Sequence, residues 1–303
     1  MTPATNFYKT LAWTLSAIFL CAANPASSKD GIEISGDLSV RAVQAERGVF
    51  QGEDVESSGA GARAEAGFEW TRGKTEIQFD LSATVFDFSD ENRETRESAS
   101  AGLTIAHSVS DTVTLAVYAR RSENIVTLES RSADQTSAGA EFQYEDDDNR
   151  IRLRAEYRTR DYDGTTTSSG SGMRFDAQYN RRFGSWHWAR IDLRAEDIDS
   201  DNPRRGYERY TAKFSYSLPI AKRLRLRPEI SMRAWEYDNR AVPDGQNDIL
   251  RKDSMVAPEI GLAYGKLTGF YGRARASYEF RSSNDPRYRE DAPRFELSIG
   301  YRF

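Results

Sequence analysis

The sequence predicts an all-β protein: a closed antiparallel β-barrel of about 14 strands that crosses a membrane. Three observations predict it. Apolar and polar residues alternate over ten or more positions in segment after segment. Beyond residue 25 no run of 18 uncharged apolar residues exists, so a helical span is excluded. Short connections alternate with long polar ones along the chain. Alternation with a period of two is the mark of a strand with two unlike faces.

The 303 residues are 38% hydrophobic and 29% charged, low in apolar content for a soluble core of this size. Nine Pro and 21 Gly among 15 Tyr, 15 Phe and 5 Trp fit neither a collagen-like nor a disordered chain. The first 28 residues stand apart. Lys9 precedes the apolar run LAWTLSAIFLCAA (Leu11 to Ala23), and small residues follow, with Ala26, Ser27 and Ser28 before Lys29. This reads as a signal peptide over residues 1–28, which implies export and leaves residues 29–303 as the barrel. The single cysteine, Cys21, lies in that segment behind Phe19 and Leu20, a poor setting for lipid attachment. The remaining chain has no thiol chemistry.

The strands are expected near residues 32–42, 60–70, 74–88, 97–107, 112–124, 136–146, 149–161, 171–183, 186–197, 207–219, 222–237, 253–265, 268–281 and 293–303. In the second, Ala62, Ala64, Ala66, Phe68 and Trp70 oppose Arg63, Glu65 and Glu69. In the seventh, Ile151, Leu153, Ala155 and Tyr157 oppose Arg150, Arg152, Arg154, Glu156, Arg158 and Arg160. The tight turns are TRGK, SVSD, DDDN, FGS, PIAK and GKL, whereas 47–59, 161–170, 197–206 and 238–252 are long. Pro228 and Pro258 fall inside neighbouring strands, where a missing ladder donor predicts a shared bulge or a different register. Counts of 12 or 16 strands therefore also fit.

Arg and Glu at strand centres exclude a lipid-facing charged side, since a basic residue there costs about 2–4 kcal/mol. The apolar face meets lipid, the charged face lines the lumen, and backbone pairing in lipid demands closure. Some 14 strands make a lumen too wide for side chains alone to fill, so it is expected to hold water.

The last strand adds a motif. Phe295, Leu297, Ile299, Tyr301 and the terminal Phe303 recur at every second position. This resembles the C-terminal strand signature of Gram-negative outer-membrane β-barrel proteins, the porin-like class. The resemblance covers the mature chain as layout and these residues as a motif. It implies an outer-membrane location, contact with lipid and lipopolysaccharide, and recognition of the last strand by the barrel-assembly machinery. A propeller with seven hairpins of about 39 residues is the soluble rival, but long strands with a continuous apolar face and no blade signature disfavour it.

Charge is unevenly spread. Residues 29–148 carry 9 Arg and 2 Lys against 25 acids, and residues 149–303 carry 26 Arg and 4 Lys against 22 acids. The lumen positions expected to be basic are Arg150, Arg152, Arg154, Arg158, Arg190, Arg194, Arg223, Arg225, Arg227, Arg233, Arg273 and Arg275. The acidic ones are Glu65, Glu69, Glu76, Asp80, Glu141 and Glu145. Arginine stays charged and binds carboxylate or phosphate through a planar fork, so opposed walls would orient anionic solutes. The plainer expectation is that these charges pair across neighbouring strands.

His107 and His187 have lipid-face parity near the short turns, and His187 sits between Trp186 and Trp188, as in an interfacial belt. Catalysis is disfavoured by that position, and no cofactor is implied. In DIDSDNPRRGYE, Asp197, Asp199, Asp201 and Glu208 occupy positions 1, 3, 5 and 12 of a calcium-type loop, weakened by Asn202 and Pro203 where glycine is needed. Inward-facing arginines in a net acidic chain argue against nucleic acid. The sequence favours a channel for small polar, chiefly anionic solutes. The alternative is a plugged structural or assembly barrel that presents loops to lipopolysaccharide or a partner protein.

Overall fold

The computed structural model describes residues 31–45, 49–51, 54–56, 58–90, 93–163, 168–184, 186–242 and 249–303. The expected signal segment 1–28, with Cys21, lies outside the described residues, as do residues 47–48, 52–53 and 57 of the long connection 47–59. Fourteen antiparallel strands close on themselves: β1 (Gly31–Ala45), β4 (Gly59–Arg72), β5 (Thr75–Phe88), β6 (Arg96–Ser108), β7 (Val113–Ile125), β8 (Ala133–Glu145), β9 (Asn149–Tyr162), β10 (Ser168–Phe183), β11 (His187–Ser200), β12 (Tyr207–Ala221), β13 (Leu224–Ala241), β14 (Leu250–Gly265), β15 (Gly269–Ser283) and β16 (Ala292–Arg302). A small hairpin of β2 (Val49–Gln51) and β3 (Asp54–Glu56) stands outside the barrel sheet.

Each strand pairs with its sequence neighbour, and β1 closes the ring against β16 from Asp37↔Arg302 to Ala45↔Arg294. The expected strand centres and count hold, and most strands run a few residues further toward the long-loop rim. Turn chemistry sets the other rim. Arg72↔Thr75 leaves a two-residue hairpin turn in which Gly73 takes φ 60°, the left-handed conformation such turns require. Gly184, at φ 57°, has the same role after β10.

The two prolines create neither a shared bulge nor a slipped register. β13 and β14 pair continuously through Pro228↔Ile260 and Ile230↔Pro258. The β12 ladder resumes in unchanged register on either side of Pro228, from Ser215↔Glu229 to Leu218↔Leu226. Pro258 likewise interrupts only the β15 side, between Val256↔Phe280 and Glu259↔Ser277. Each missing donor therefore opens the ladder locally on one flank.

Burial is inverted relative to a soluble protein. Phe175 and Leu297 are 54% and 56% exposed, whereas Arg158 is 1% exposed. The outer face carries Val40, Phe68, Val117, Leu193 and Ile260, all exposed, which is the apolar band that lipid covers. Among the terminal aromatics, Tyr301 and Phe303 stack at 6.5 Å, and Phe270 meets Tyr301 edge-on at 5.0 Å. The Phe303 ring lies over Gly36, where any added Cβ would collide with it. The chain is a closed β-barrel with an apolar outer face and its polar face inward.

Candidate functional site

The lumen wall divides along the barrel axis. At mid-height most of the expected arginines meet acids on the same or a neighbouring strand. Arg154 Nη2 lies 2.5 Å from Glu141, Arg190 Nη2 lies 2.7 Å from Asp192, and Arg194 Nε donates to Asp176 at 2.7 Å. Arg150 reaches Glu145 at 3.4 Å, and Arg275 binds Glu296. On the acidic arc, Asp80 pairs with Arg120 at 2.8 Å and Glu65 with Arg63, while Glu69 accepts from Thr71 at 3.3 Å. Glu76 stands nearby on β5 beside the Glu69 strand. The acidic residues thus occupy β4, β5 and β8, and the arginines occupy β9, β11, β13 and β15 of the closed ring, except Arg223, which was expected on a strand and sits instead in the turn before β13 at φ 66°. A cavity of about 220 Å³ against the β9–β13 side of the lumen is lined by Arg152, Gln178, Arg190, Lys213 and Arg233, among others.

Arg152, Arg225, Arg227 and Arg273 of the lumen wall instead meet neutral groups. Arg152 donates to the neutral Gln178 Oε1 at 2.6 Å. Arg225 donates to Ser217 Oγ at 2.6 Å and to the Trp186 carbonyl. Arg227 lies over the Trp188 ring at 5.7 Å, and Arg273 lies 5.0 Å from the Tyr271 ring centre. Trp188 therefore faces the lumen, contrary to the expected lipid-side belt, because it has the parity of Arg190 and Arg194 on β11.

The long-loop end is packed with buried side chains, which the expectation of a water-filled lumen did not anticipate. A register shift between Ser122 and Ile125, with Asn124 at φ 55°, turns the β7–β8 connection inward. Val126, Thr127 and Glu129 are buried there, and Leu128 packs on a cluster of Ile198, Tyr207, Trp235, Tyr237, Met255 and Ala257. The Glu129 Oε1 atom accepts from Arg160 Nη1 and from the Tyr162 hydroxyl, both at 2.6 Å. Glu196 gathers Arg158 at 3.3 Å, Arg160 at 3.3 Å and Arg209 at 2.6 Å. Phe86 and Phe88 fill the β5 side, with Arg93 stacked 3.7 Å from the Phe88 ring centre. Sequence reasoning missed Glu129, Glu196, Arg209 and Tyr207. The signal for the loop was its apolar triplet, Ile125, Val126 and Leu128, within a polar long-loop position.

The remaining candidates do not assemble into reactive groups. His107 Nδ1 lies 3.0 Å from Thr75 Oγ1, and His187 Nδ1 lies 3.0 Å from the Tyr216 hydroxyl, with no carboxylate in either pair. The calcium-type loop is a hairpin instead. Strand β11 continues to Ser200, Asp197 opposes Glu208 across the ladder, and Asp201 accepts from the Ser169 backbone N–H at 2.9 Å. No group of three or more metal-ligating side chains occurs among the described residues.

No family model matches the chain, and no curated protein matches it. Solved structures of the same fold do. The outer-membrane channel DcaP of Acinetobacter baumannii superposes with a TM-score of 0.56 at 10% identity, over 93% of this chain and 100% of that one. An anion-selective porin from Comamonas acidovorans gives 0.51 at 8% identity, over 90% and 100%. Outer-membrane-expressed OmpT of Vibrio cholerae gives 0.54 at 10% identity, over 92% and 99%. At these identities the likeness establishes the barrel architecture.

Proposed function

We propose that this barrel is a porin-like channel for passive diffusion of small polar solutes, with a preference for anions. The carrying observation is the set Arg152, Arg225, Arg227 and Arg273, lumen guanidiniums whose hydrogen-bond and ring partners are neutral. Elsewhere on the wall Arg and acid largely cancel, so the residual field is set by the uncompensated cations. Channels among the proteins of this fold support the reading. No enzymatic role is assigned, since neither histidine has a partner that would activate it.

A second reading has its own support. The inward β7–β8 loop and the buried Glu129–Arg160–Glu196 network favour a barrel closed at its long-loop end. Such a barrel would present its loops to lipopolysaccharide or a partner protein. Conductance in a planar bilayer separates the two. Open steps with chloride preference across a KCl gradient, weakened in Arg152→Gln/Arg225→Gln, support the channel. Silence from correctly folded protein supports the closed barrel.

A further inference from the structure

The short-turn mouth of the lumen holds a cavity of about 750 Å³ whose lining includes Lys222, Arg223, Arg225, Arg227, Lys266 and Arg273. No carboxylate is among its lining residues. The nearest acids are already engaged: Asp37 by Arg302 and the Tyr271 hydroxyl, each at 2.7 Å, Glu229 by Lys213 at 3.3 Å, and Glu296 by Arg275 and Arg294. Cations crowded without counter-charge repel one another, and the Nε of Arg227 has no hydrogen-bond partner.

The register explains how the cluster is built. Ala263 of β14 lies between Arg225 and Arg273 of the flanking strands, and Gly261 lies between Arg227 and Arg275. Two Arg–small–Arg rows thus run across three strands, spaced by two residues, or about 7 Å along the strand. A Cβ on Gly261 would find only ordinary contacts, 3.5 Å and beyond, so the floor between the rows is open. Trp188 and Tyr271 back the guanidiniums and restrict their planes.

We infer that this mouth is a built binding site for a small solute with two or more oxyanion groups, held among Arg225, Arg227 and Arg273 around Ala263. A monovalent anion engages only part of that cluster, and a forked guanidinium recognises carboxylate and phosphate alike. The inference rests on the anion-channel reading and adds a saturable site to it.

The test is calorimetric titration of the folded protein in detergent micelles, at fixed ionic strength, with citrate, pyrophosphate and acetate. Saturable binding of citrate or pyrophosphate, with none for acetate, is expected, and the tighter of the two identifies the carboxylate or phosphate source. Arg227→Gln/Arg273→Gln should weaken binding by about tenfold or more, since each lost contact is charge-assisted. Ala263→Leu, or Gly261→Ala should the leucine variant fail to fold, fills the floor with every charge retained. It should weaken binding. Equal binding of acetate, no binding of either polyanion, or full binding by the filled-floor variant overturns the inference. Chloride preference without saturable binding removes the site and leaves the channel. Saturable binding by a barrel that passes no current does the reverse.

Discussion

Glu129 is the strongest single handle on the closed end of the barrel. Its carboxylate is fully buried and holds the β7–β8 loop inward through Arg160 and Tyr162, both at 2.6 Å. Hydrogen bonds to a charged group are worth about 1.5–3 kcal/mol each, and breaking a buried ion pair costs about 3–5 kcal/mol. Glu129→Ala therefore removes roughly 3 kcal/mol or more of loop anchoring, a shift of at least ~100-fold toward loop-out states. Arg160 keeps Gln135 at 2.8 Å and Glu196 at 3.3 Å, so the barrel wall itself retains its pairing. Tyr162→Phe removes one of the two bonds and should shift the balance by ~10-fold. Single-channel recording should show larger or longer open steps in the order wild type, Tyr162→Phe, Glu129→Ala. Heat-modifiable gel migration should stay intact, because the loop can swing free without opening the sheet. Identical conductance in all three folded proteins would refute the reasoning, since the loop would then not limit the lumen.

Three further outcomes follow from the fold. Phe175→Arg places a charge on the exposed lipid face near the middle of β10 and should cost about 2–4 kcal/mol, read as an earlier urea midpoint in vesicles. Phe303→Ala removes the ring over Gly36 and should reduce the folded fraction; a loss in cells that detergent refolding does not reproduce indicates recognition by the assembly machinery. In the β8–β9 turn, the backbone N–H groups of Asp148 and Asn149, then the Asn149 side chain, hold Asp146 below the usual carboxylate range. Its stabilisation is complete above the ordinary carboxylate value of about 4 and is lost as pH falls through the lower folded value, so Asp146→Asn should destabilise at neutral pH, with an effect that shrinks as pH falls through that lower value.

The architecture was legible because lipid and water impose opposite demands on alternate residues. A strand such as Asn149–Tyr162 has no other way to satisfy both. The turns were equally readable, since TRGK and FGS place glycine where the backbone needs left-handed φ. Three features were not. Trp188 shares its neighbourhood with Trp186 and His187, and only strand parity, not residue type, separates lumen from belt. The inward loop left a trace in its apolar Ile125, Val126 and Leu128, but the bulge at Ser122–Ile125 that turns it inward arises from pairing between strands. The vestibule at the short-turn mouth depends on which strand stands between Arg225 and Arg273; periodicity finds the arginines, but register finds Ala263 between them.

The axial asymmetry of the lumen follows from solvation. At the long-loop end the aromatic cluster excludes water, so Arg158, Arg160 and Arg209 must be matched by Glu156, Glu196 and Glu129 or fail to be buried. At the short-turn mouth water reaches the cations, which lowers the cost of leaving Arg225, Arg227 and Arg273 uncompensated. Under the proposed channel reading, an attractive potential for anions survives only where a solute can reach it. Substituting arginines at the long-loop end should change stability and loop position, whereas substituting them at the short-turn mouth should change selectivity and leave the fold in place.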